Sequence, residues 1–199
     1  MLDDRVRAAL ARLEEENERD DPNASTALRS LQIPPTTGAL LFALCAGRPA
    51  CRVLEIGSSR GYSTIWLGAA ARLAGGRVTT LEKNQLKLEL VTANVADAGL
   101  AEWVEIVDGN AFETLTRLEG PFDLVFLDAW KDDYEALFAL ARPLVAPGGT
   151  IAADNVSTHD SLGAYAAARQ ADPGLVSVTV PIDHGVEVST VLTGGLLSD

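Results

Sequence analysis

From residue 51 onward, short apolar runs alternate with amphipathic segments along the chain. Such alternation predicts a mainly parallel sheet with helices on both faces. The predicted strands lie at 52–56, 77–82, 103–107, 122–127 and 149–153, and the predicted helices at 62–73, 84–98, 111–118 and 133–142. Two further β-rich runs, Leu175 to Pro181 and Val186 to Leu192, predict a hairpin that adds an antiparallel strand at the sheet's edge. The pattern therefore predicts an α/β fold with seven strands, five of them central and parallel.

The first 48 residues have a helical pattern and precede these strands. Apolar residues recur at helical spacing in the segment 2–19, at Leu2, Val6, Leu10 and Leu13. A short second helix could be capped by Asn23 or Ser25, and a third would run from Thr36 or Thr37 to Ala46. We expect a single domain over residues 1–199, with a helical cap (1–48) on a Rossmann-like core (49–199).

Composition and charge argue against nucleic-acid and membrane partners. The formal net charge of −12 argues against a nucleic-acid surface, which needs a basic patch. The N-terminal residues lack a basic-then-apolar signal, and no apolar run approaches the roughly 20 residues that span a bilayer. Cys45 and Cys51 are expected to be buried thiols rather than a disulfide or a metal pair. We therefore expect a cytoplasmic protein without a membrane partner, and a homodimer stays open.

The segment 53–63, VLEIGSSRGYS, is the most informative about chemistry. It has the form of a strand, a tight loop and a helix start, and Gly57 and Gly61 allow the backbone to approach a ligand closely. The Gly-x-Gly-x-x-Gly spacing of a dinucleotide site is absent, which disfavours a nicotinamide dehydrogenase. Glu55 suits a cationic or hydroxyl-rich ligand. The loop predicts a nucleoside-type cofactor, with an ordinary strand-to-helix turn as the alternative.

Polar residues follow the ends of the other predicted strands, which should meet in one crevice. Glu82 stands where an acid binds ribose hydroxyls, and a helix cap is its structural alternative. Asp128, Asp154 and Asn155 offer hard oxygen ligands that suit Mg²⁺. A lone aspartate at a strand end is more often structural, so the metal hypothesis rests on the convergence of all three.

These residues carry a resemblance to a known family. From Leu31 to Leu192 the chain resembles the catechol and caffeoyl-coenzyme A O-methyltransferases, the cation-dependent branch of class I S-adenosylmethionine methyltransferases. The matching runs occur in the family's order: VLEIGSSRGYS (53–63), VTTLEKN (78–84), FDLVFLDAWKDDY (122–134), ADNV (153–156) and PIDHGV (181–186).

The resemblance implies a role for each matching position. The residues it places on S-adenosylmethionine are Glu55, Gly57, Ser58 and Ser63 at the methionine end, Glu82 at the ribose, the backbone N–H of Ala111 at the adenine, and Asp128 and Trp130 beside the cofactor. Mg²⁺ would be bound by Asp128, Asp154 and Asn155. Lys131 would be the general base that takes the acceptor's proton. Plain packing for Trp130 and a solvated charge for Lys131 are the alternatives.

The chain departs from the family in three places. Asn110 replaces the usual aspartate or small residue, and Arg60 is bulky for its loop and is expected to face solvent. The segment 156–180 is much shorter than in plant and many bacterial relatives, which leaves the acceptor open. His159 lies in this segment, where it would be an acid, a base or an acceptor contact, or simply exposed.

The expected activity is Mg²⁺-assisted methyl transfer from S-adenosylmethionine to an oxygen of a small vicinal diol or phenol. A tRNA methyltransferase acting on a hydroxylated base is one alternative, and it would need a local basic patch. A non-catalytic S-adenosylmethionine-binding protein is another. The presence of Asp128, Lys131 and Asp154 counts against it.

Overall fold

The computed structural model describes residues 2–158 and 160–192, so His159 lies outside the described residues. The strands are β1 Arg52–Ile56, β2 Arg77–Glu82, β3 Val104–Asp108, β4 Phe122–Leu127, β5 Val145–Ala153, β6 Leu175–Val180 and β7 Val186–Val191. The helices are α1 Asp4–Glu18, α2 Pro35–Ala46, α3 Tyr62–Ala74, α4 Gln85–Asp97, α5 Ala111–Thr114, α6 Tyr134–Ala141 and α7 Asp160–Gln170, with short 3₁₀ turns at Lys131–Asp133 and Arg142–Leu144.

The strands form one seven-stranded sheet in the order β3-β2-β1-β4-β5-β7-β6. β1 to β5 pair in parallel, whereas β7 is antiparallel to both β5 and β6. The predicted α/β fold with an antiparallel C-terminal strand is confirmed. One detail differs, because β7 lies inside the sheet and β6 forms its edge. Val186 at the start of β7 is fully buried in the same apolar cluster as Ala152 of β5, so pairing with β5 completes the core.

Strand β4 shows why the sheet is covered on both faces. Leu124 and Phe126 belong to the apolar cluster under α1 to α4, and Val125 and Leu127 belong to the cluster under α5 to α7. Successive side chains of a strand point to opposite faces, and all four are at most 1% exposed. Both faces of this central strand are therefore core, as the alternation of strands and helices predicted.

The apolar face predicted for the first helix is confirmed, since Val6, Leu10 and Leu13 of α1 are buried. Arg12 on the same helix donates from Nη2 to Oδ1 of Asn94 at 2.8 Å, which joins α1 to α4. Cys45 and Cys51 are buried free thiols, as expected. Within the described residues, no helix is both long enough and apolar enough to cross a bilayer.

The predicted second helix after Asn23 or Ser25 is wrong. Residues 20–34 form turns and irregular chain instead. Side chains compete with helical hydrogen bonds there: Asp21 Oδ1 accepts from the backbone N–H of Asn23 at 2.8 Å, and Asp20 accepts from the N–H and hydroxyl of Ser30.

Two other element boundaries differ by several residues from the sequence pattern, and one helix was not predicted. β5 begins at Val145 rather than 149, because the strand continues through Gly148 and past an irregularity in its pairing with β4. α5 ends at Thr114 rather than 118. The helix α7, which was not predicted, occupies the short segment after β5. Its alanine-rich sequence shows little contrast between an apolar and a polar face.

The turn between β6 and β7 is tied to the start of α2. Asp183 Oδ2 accepts hydrogen bonds from the backbone N–H of Thr37 at 3.1 Å and from its hydroxyl at 2.9 Å. Pro34, the residue before α2, has no side-chain group that caps the helix. Asp183 therefore supplies the cap from a distant part of the chain.

Asp183→Ala should lower the free energy of unfolding by about 1–3 kcal/mol, because it removes a charged acceptor from a helix start. Asp183→Asn should lose less, since asparagine keeps one acceptor oxygen and tolerates the left-handed backbone at this position (φ 47°). Urea denaturation measures both changes, with Asp132→Ala as an exposed control. Equal midpoints for Asp183→Ala and wild type would show that the cap contributes nothing.

Candidate active site

A cavity of about 890 Å³ opens where the carboxyl ends of the parallel strands meet. The predicted site residues that line it are Gly57, Ser58, Ser63, Glu82, Ala111, Asp128, Trp130, Lys131, Asp154 and Asn155. Of the predicted set, Glu55 alone is not part of the wall. The fold thus brings these residues to one place, while the role of each stays a prediction.

The loop after β1 approaches β4 so closely that only glycine fits at position 57. Gly57 has a φ of 100°, and a Cβ there would lie 2.4 Å from the carbonyl oxygen of Asp128. Gly61, with a φ of 92°, ends the loop and precedes the first residue of α3. Ser58 and Ser63 stand between and after these glycines, and both buried residues line the cavity. The loop can therefore hold a ligand at backbone distance.

Glu55 lies beneath this loop and is fully buried. Its Oε2 accepts from the hydroxyl of Thr80 at 2.6 Å and from that of Thr64 on α3, and its Oε1 has no hydrogen-bond partner in the protein. Burial raises the pKa of Glu55 to about 7, against the opposing hydrogen bonds of Ser63, Thr64 and Thr80. Glu55 joins β1, β2 and α3 under the loop instead of lining the cavity.

Glu82 ends β2 and faces the cavity with its carboxylate held by backbone donors. Its Oε1 accepts from the N–H groups of Lys83 at 3.0 Å and Asn84 at 2.9 Å, and its Oε2 accepts from that of Ser59 at 3.0 Å. The alternative that Glu82 caps the next helix is wrong, because Asn84 caps α4 by accepting from the N–H of Lys87. The carboxylate is fixed in the position where hydroxyl donors of a ligand can reach it.

Ala111 and Trp130 also line the cavity. Ala111 begins α5, which Asn110 caps by accepting from the N–H of Phe112 at 3.1 Å. Asn110 thereby keeps the capping function of an aspartate, so this departure from the family leaves the turn intact. Trp130 is 63% exposed along the cavity wall, which gives it a free aromatic face.

Residues 20–33 form a roof over one end of the cavity, a feature that the sequence did not indicate. Arg60, which was expected to face solvent, has only 18% of its side chain exposed. Its guanidinium pairs with Asp20 at 3.3 Å and donates to the carbonyl of Leu28. The hydroxyl of Ser59 donates to the carbonyl of Ser30. The bulky arginine thus fastens the roof to the glycine loop.

Lys131 and Asp128 form an ion pair at the other end of the cavity. Lys131 Nζ lies 2.7 Å from Asp128 Oδ1 and 3.1 Å from the hydroxyl of Tyr134. That hydroxyl is placed by contacts of 3.2 Å to the carbonyl oxygens of Leu127 and Asp154. Lys131 is therefore held in the cavity by specific partners, and the alternative of a freely solvated charge is not what the structure shows.

Asp154 is 1% exposed and its Oδ1 has no hydrogen-bond partner in the protein. Burial, together with the negative charge of Asp128, raises its pKa to about 7. The described residues contain no group of three or more His, Cys, Asp or Glu side chains in metal-binding proximity. Two carboxylates and the amide of Asn155 nonetheless make a hard oxygen set, and the unpartnered Asp154 oxygen fits a cation that the protein itself does not supply.

Two further cavity residues were missed by sequence reasoning. His184, in the β6–β7 turn, lies with its Nδ1 3.3 Å from Nδ2 of Asn155. His184 belongs to the matching run PIDHGV, but the resemblance assigned no role to it. Lys87 of α4 is buried at the cavity wall, and burial lowers its pKa. No local pattern distinguished it from a surface lysine of an amphipathic helix.

The strand order, the antiparallel β7 and the glycine loop after β1 define a class I methyltransferase. A family model described as a methyltransferase domain matches residues 54–156, slightly more than half of the chain. The chain belongs to the catechol O-methyltransferase and caffeoyl-coenzyme A O-methyltransferase-like family, as its motifs predicted.

Individual relatives support this membership. A catechol O-methyltransferase from Mycobacterium tuberculosis is 42% identical over 148 residues, which cover 69% of this chain and 66% of that protein, slightly less than two thirds of its length. An O-methyltransferase from Bacillus cereus, solved in complex with S-adenosylhomocysteine, is 28% identical with a TM-score of 0.77 and covers 92% of this chain and 90% of that one. TomG from Streptomyces achromogenes, solved with S-adenosylmethionine, is 28% identical with a TM-score of 0.78 and covers 96% and 91%.

Glu55→Gln should remove a pH dependence of stability. The pKa of about 7 in the folded protein exceeds the ordinary 4.5, so the folded state binds this proton more tightly and loses stability as the pH rises between those values. At about 1.4 kcal/mol per pKa unit, the variant should gain up to roughly 3 kcal/mol over wild type between about pH 4 and pH 8.

Urea denaturation across this pH range, without cofactor, measures the difference. Glu102→Gln changes an exposed carboxylate and serves as the control, since it should leave the profile of the wild type unchanged. Parallel profiles for Glu55→Gln and wild type would contradict a raised pKa at Glu55.

Proposed function

We propose that this protein transfers a methyl group from S-adenosylmethionine to a hydroxyl oxygen of a small vicinal diol or phenol, with Mg²⁺ at the acceptor end. The observation that carries the proposal is that one cavity contains both the glycine loop with Glu82 and the group formed by Lys131, Asp128 and Asp154. The relatives named above include a catechol O-methyltransferase and O-methyltransferases solved with S-adenosylmethionine or S-adenosylhomocysteine, which supports the same assignment.

The cofactor end would be formed by the loop after β1 and by Glu82. When bound, S-adenosylmethionine supplies the methyl group on a positively charged sulfur. Gly57, Ser58 and Ser63 would border its methionine part, and the carboxylate of Glu82 would accept from the ribose hydroxyls in charge-assisted hydrogen bonds. Glu55 would act from below as a support of the loop, because its carboxylate bonds to Thr64 and Thr80 and not to the cavity.

The acceptor end would hold the cation through Asp128, Asp154 and Asn155. Mg²⁺ there would supply a template for two neighbouring hydroxyls and would make them more acidic. Ionised Asp154 has an unpartnered oxygen in a buried position, which is unfavourable without a positive charge beside it. Because Asp154 also lines the cavity, as Glu55 does not, this cost supports assigning it a ligand.

Lys131 would take the proton from the acceptor hydroxyl as general base. A general base accepts the proton on a free electron pair, which here would be that of Nζ. Tyr134 holds Nζ in place through its hydroxyl, 3.1 Å away, so the amine stays directed into the cavity. The oxyanion formed in this way would attack the methyl group in line with its bond to sulfur, and the shared cavity would provide the positioning.

We further propose a small molecule as acceptor, because the net charge of −12 and the carboxylates Asp128, Asp133 and Asp154 in the cavity wall disfavour a polyanion. A hydroxylated nucleoside belongs in the acceptor screen as the rival outcome. The single-domain organisation with its 1–48 cap, the cytoplasmic location and the homodimer stay predictions.

Lys131→Met should reduce kcat on the best catechol acceptor by about 10²–10⁴-fold, the range for loss of a general base. Lys131→Arg should reduce kcat almost as much, because a guanidinium does not release its proton near neutral pH. Steady-state methyl transfer from S-adenosylmethionine measures both, and calorimetry should show nearly unchanged cofactor affinity.

The acceptor screen for this experiment contains catechols, flavonoids and hydroxylated nucleosides. Wild type that binds S-adenosylmethionine but methylates none of them would favour a binding protein over an enzyme. If Lys131→Met turns over as fast as the wild type, the proposed methyl transfer is supported but Lys131 is not its general base.

Asp154→Ala should abolish the increase in turnover that Mg²⁺ gives to the wild type, because it removes a ligand and half of the carboxylate charge of the proposed site. Asp133→Ala is the matched control, since Asp133 lines the same cavity without being a proposed ligand. Turnover is measured with chelator-treated enzyme as Mg²⁺ is added back. Full activity of the wild type after chelation would overturn the metal assignment.

A further inference from the structure

The β6–β7 turn carries an imidazole to the side chain of Asn155. His184 lines the cavity, and its Nδ1 lies 3.3 Å from Nδ2 of Asn155. Asn155 itself has a left-handed backbone with a φ of 65°, directly after the buried Asp154. The two residues come from segments that are 29 positions apart in the chain. This contact is the only side-chain hydrogen bond of Asn155 to the described part of the protein.

The turn is anchored on both sides of His184, so the position of its ring is restricted. The backbone N–H of Ser157 donates to the carbonyl of His184 at 2.9 Å, and that of Val156 donates to the carbonyl of Gly185 at 3.1 Å. On the other side, Asp183 accepts from the N–H and hydroxyl of Thr37. The turn is therefore bound to the segment after β5 and to α2 together.

The two ends of the Asn155 amide differ in what they can bind. Asparagine has one carbonyl oxygen, which can bind a cation, and one NH₂ group, which can only donate. An Asn155 that ligates through Oδ1 must turn its NH₂ toward an acceptor. The Nδ1 of a neutral His184 with its proton on Nε2 is an acceptor at hydrogen-bonding distance.

We propose that His184 is a positioning residue that directs the amide oxygen of Asn155 toward the cation and so raises the protein's affinity for divalent ions. The inference rests on the proposed cation site. Residues behind a metal ligand fix its orientation, and their loss typically weakens metal affinity by about 10–100-fold. His184 has this place relative to Asn155, and the anchored turn keeps it there.

The test is titration of the chelator-treated full chain with Mn²⁺, followed by electron paramagnetic resonance of the free ion. His184→Phe keeps a ring and removes the acceptor, so Mn²⁺ affinity should fall by about 10–100-fold. His184→Asn should restore most of it, because its side-chain oxygen can occupy the place of Nδ1. His184→Gln extends past that place and should resemble His184→Phe.

A double-mutant comparison separates positioning from a general structural effect. In an Asn155→Ala background, His184→Phe should cause no further loss of Mn²⁺ affinity, since the side chain to be oriented is gone. Affinity for S-adenosylmethionine without metal should be unchanged in each variant, and thermal melts establish that each is folded. If His184→Phe does not fold, the contrast between His184→Asn and His184→Gln decides the question.

The outcomes distinguish the inference from the proposal on which it rests. Wild type that binds no Mn²⁺ would overturn the cation site and the role of His184 with it. Wild type that binds Mn²⁺ equally well with His184→Phe would overturn the role of His184 alone. Equal losses for His184→Asn and His184→Phe would show that the acceptor at Nδ1 is not what matters.

Discussion

The close approach of Gly57 to the carbonyl of Asp128 is the constraint on which the site depends. A Cβ at position 57 would lie 2.4 Å from that oxygen, so any side chain would push the end of β4 away. The backbone N–H of Gly57 donates to the carbonyl of Leu81 at 3.1 Å, and that of Asp128 donates to the carbonyl of Ile56 at 3.1 Å. These bonds hold the ends of β1, β2 and β4 side by side. This steric fit sets the glycine loop beside Lys131, and it joins the two ends of the cavity.

Two carboxylates are buried near this contact, and they differ in what surrounds them. Glu55 has hydroxyl partners on α3 and β2, which fits a supporting role under the loop. Asp154 Oδ1, like Glu55 Oε1, has no hydrogen-bond partner in the protein, but Asp154 lines the cavity and lies near a second carboxylate, Asp128. Both have a pKa raised to about 7 by burial. Because Asp154 lines the cavity and Glu55 does not, only the unpartnered oxygen of Asp154 belongs to a residue that the proposed cation could contact.

Structural features that are set by residues close together in the chain could be predicted from the sequence. β1, β2 and β4 were located to the residue, because their apolar runs and following polar tips are local signals, and the cavity residues at these tips follow from parallel pairing. The burial of Glu55 was not foreseen, although the strand's position in the middle of a sheet with two covered faces leaves no solvent for its side chain. The roof at 20–33, the role of Arg60 and the place of His184 depend on contacts between distant segments, which no local pattern encodes.

The two ends of the cavity also differ in this respect: one is held by contacts that are local in the chain, the other by contacts between distant segments. The proposed cofactor end consists of loops that directly follow β1 and β2, and Glu82 is held by backbone groups within 23 positions of it. The proposed acceptor end adds a turn that is fixed to α2 across 146 positions of the chain. A change in α2 or in the hairpin can therefore move the acceptor end while the loop that would bind the cofactor stays in place. The glycine loop is held instead by the local fit of Gly57 against the end of β4.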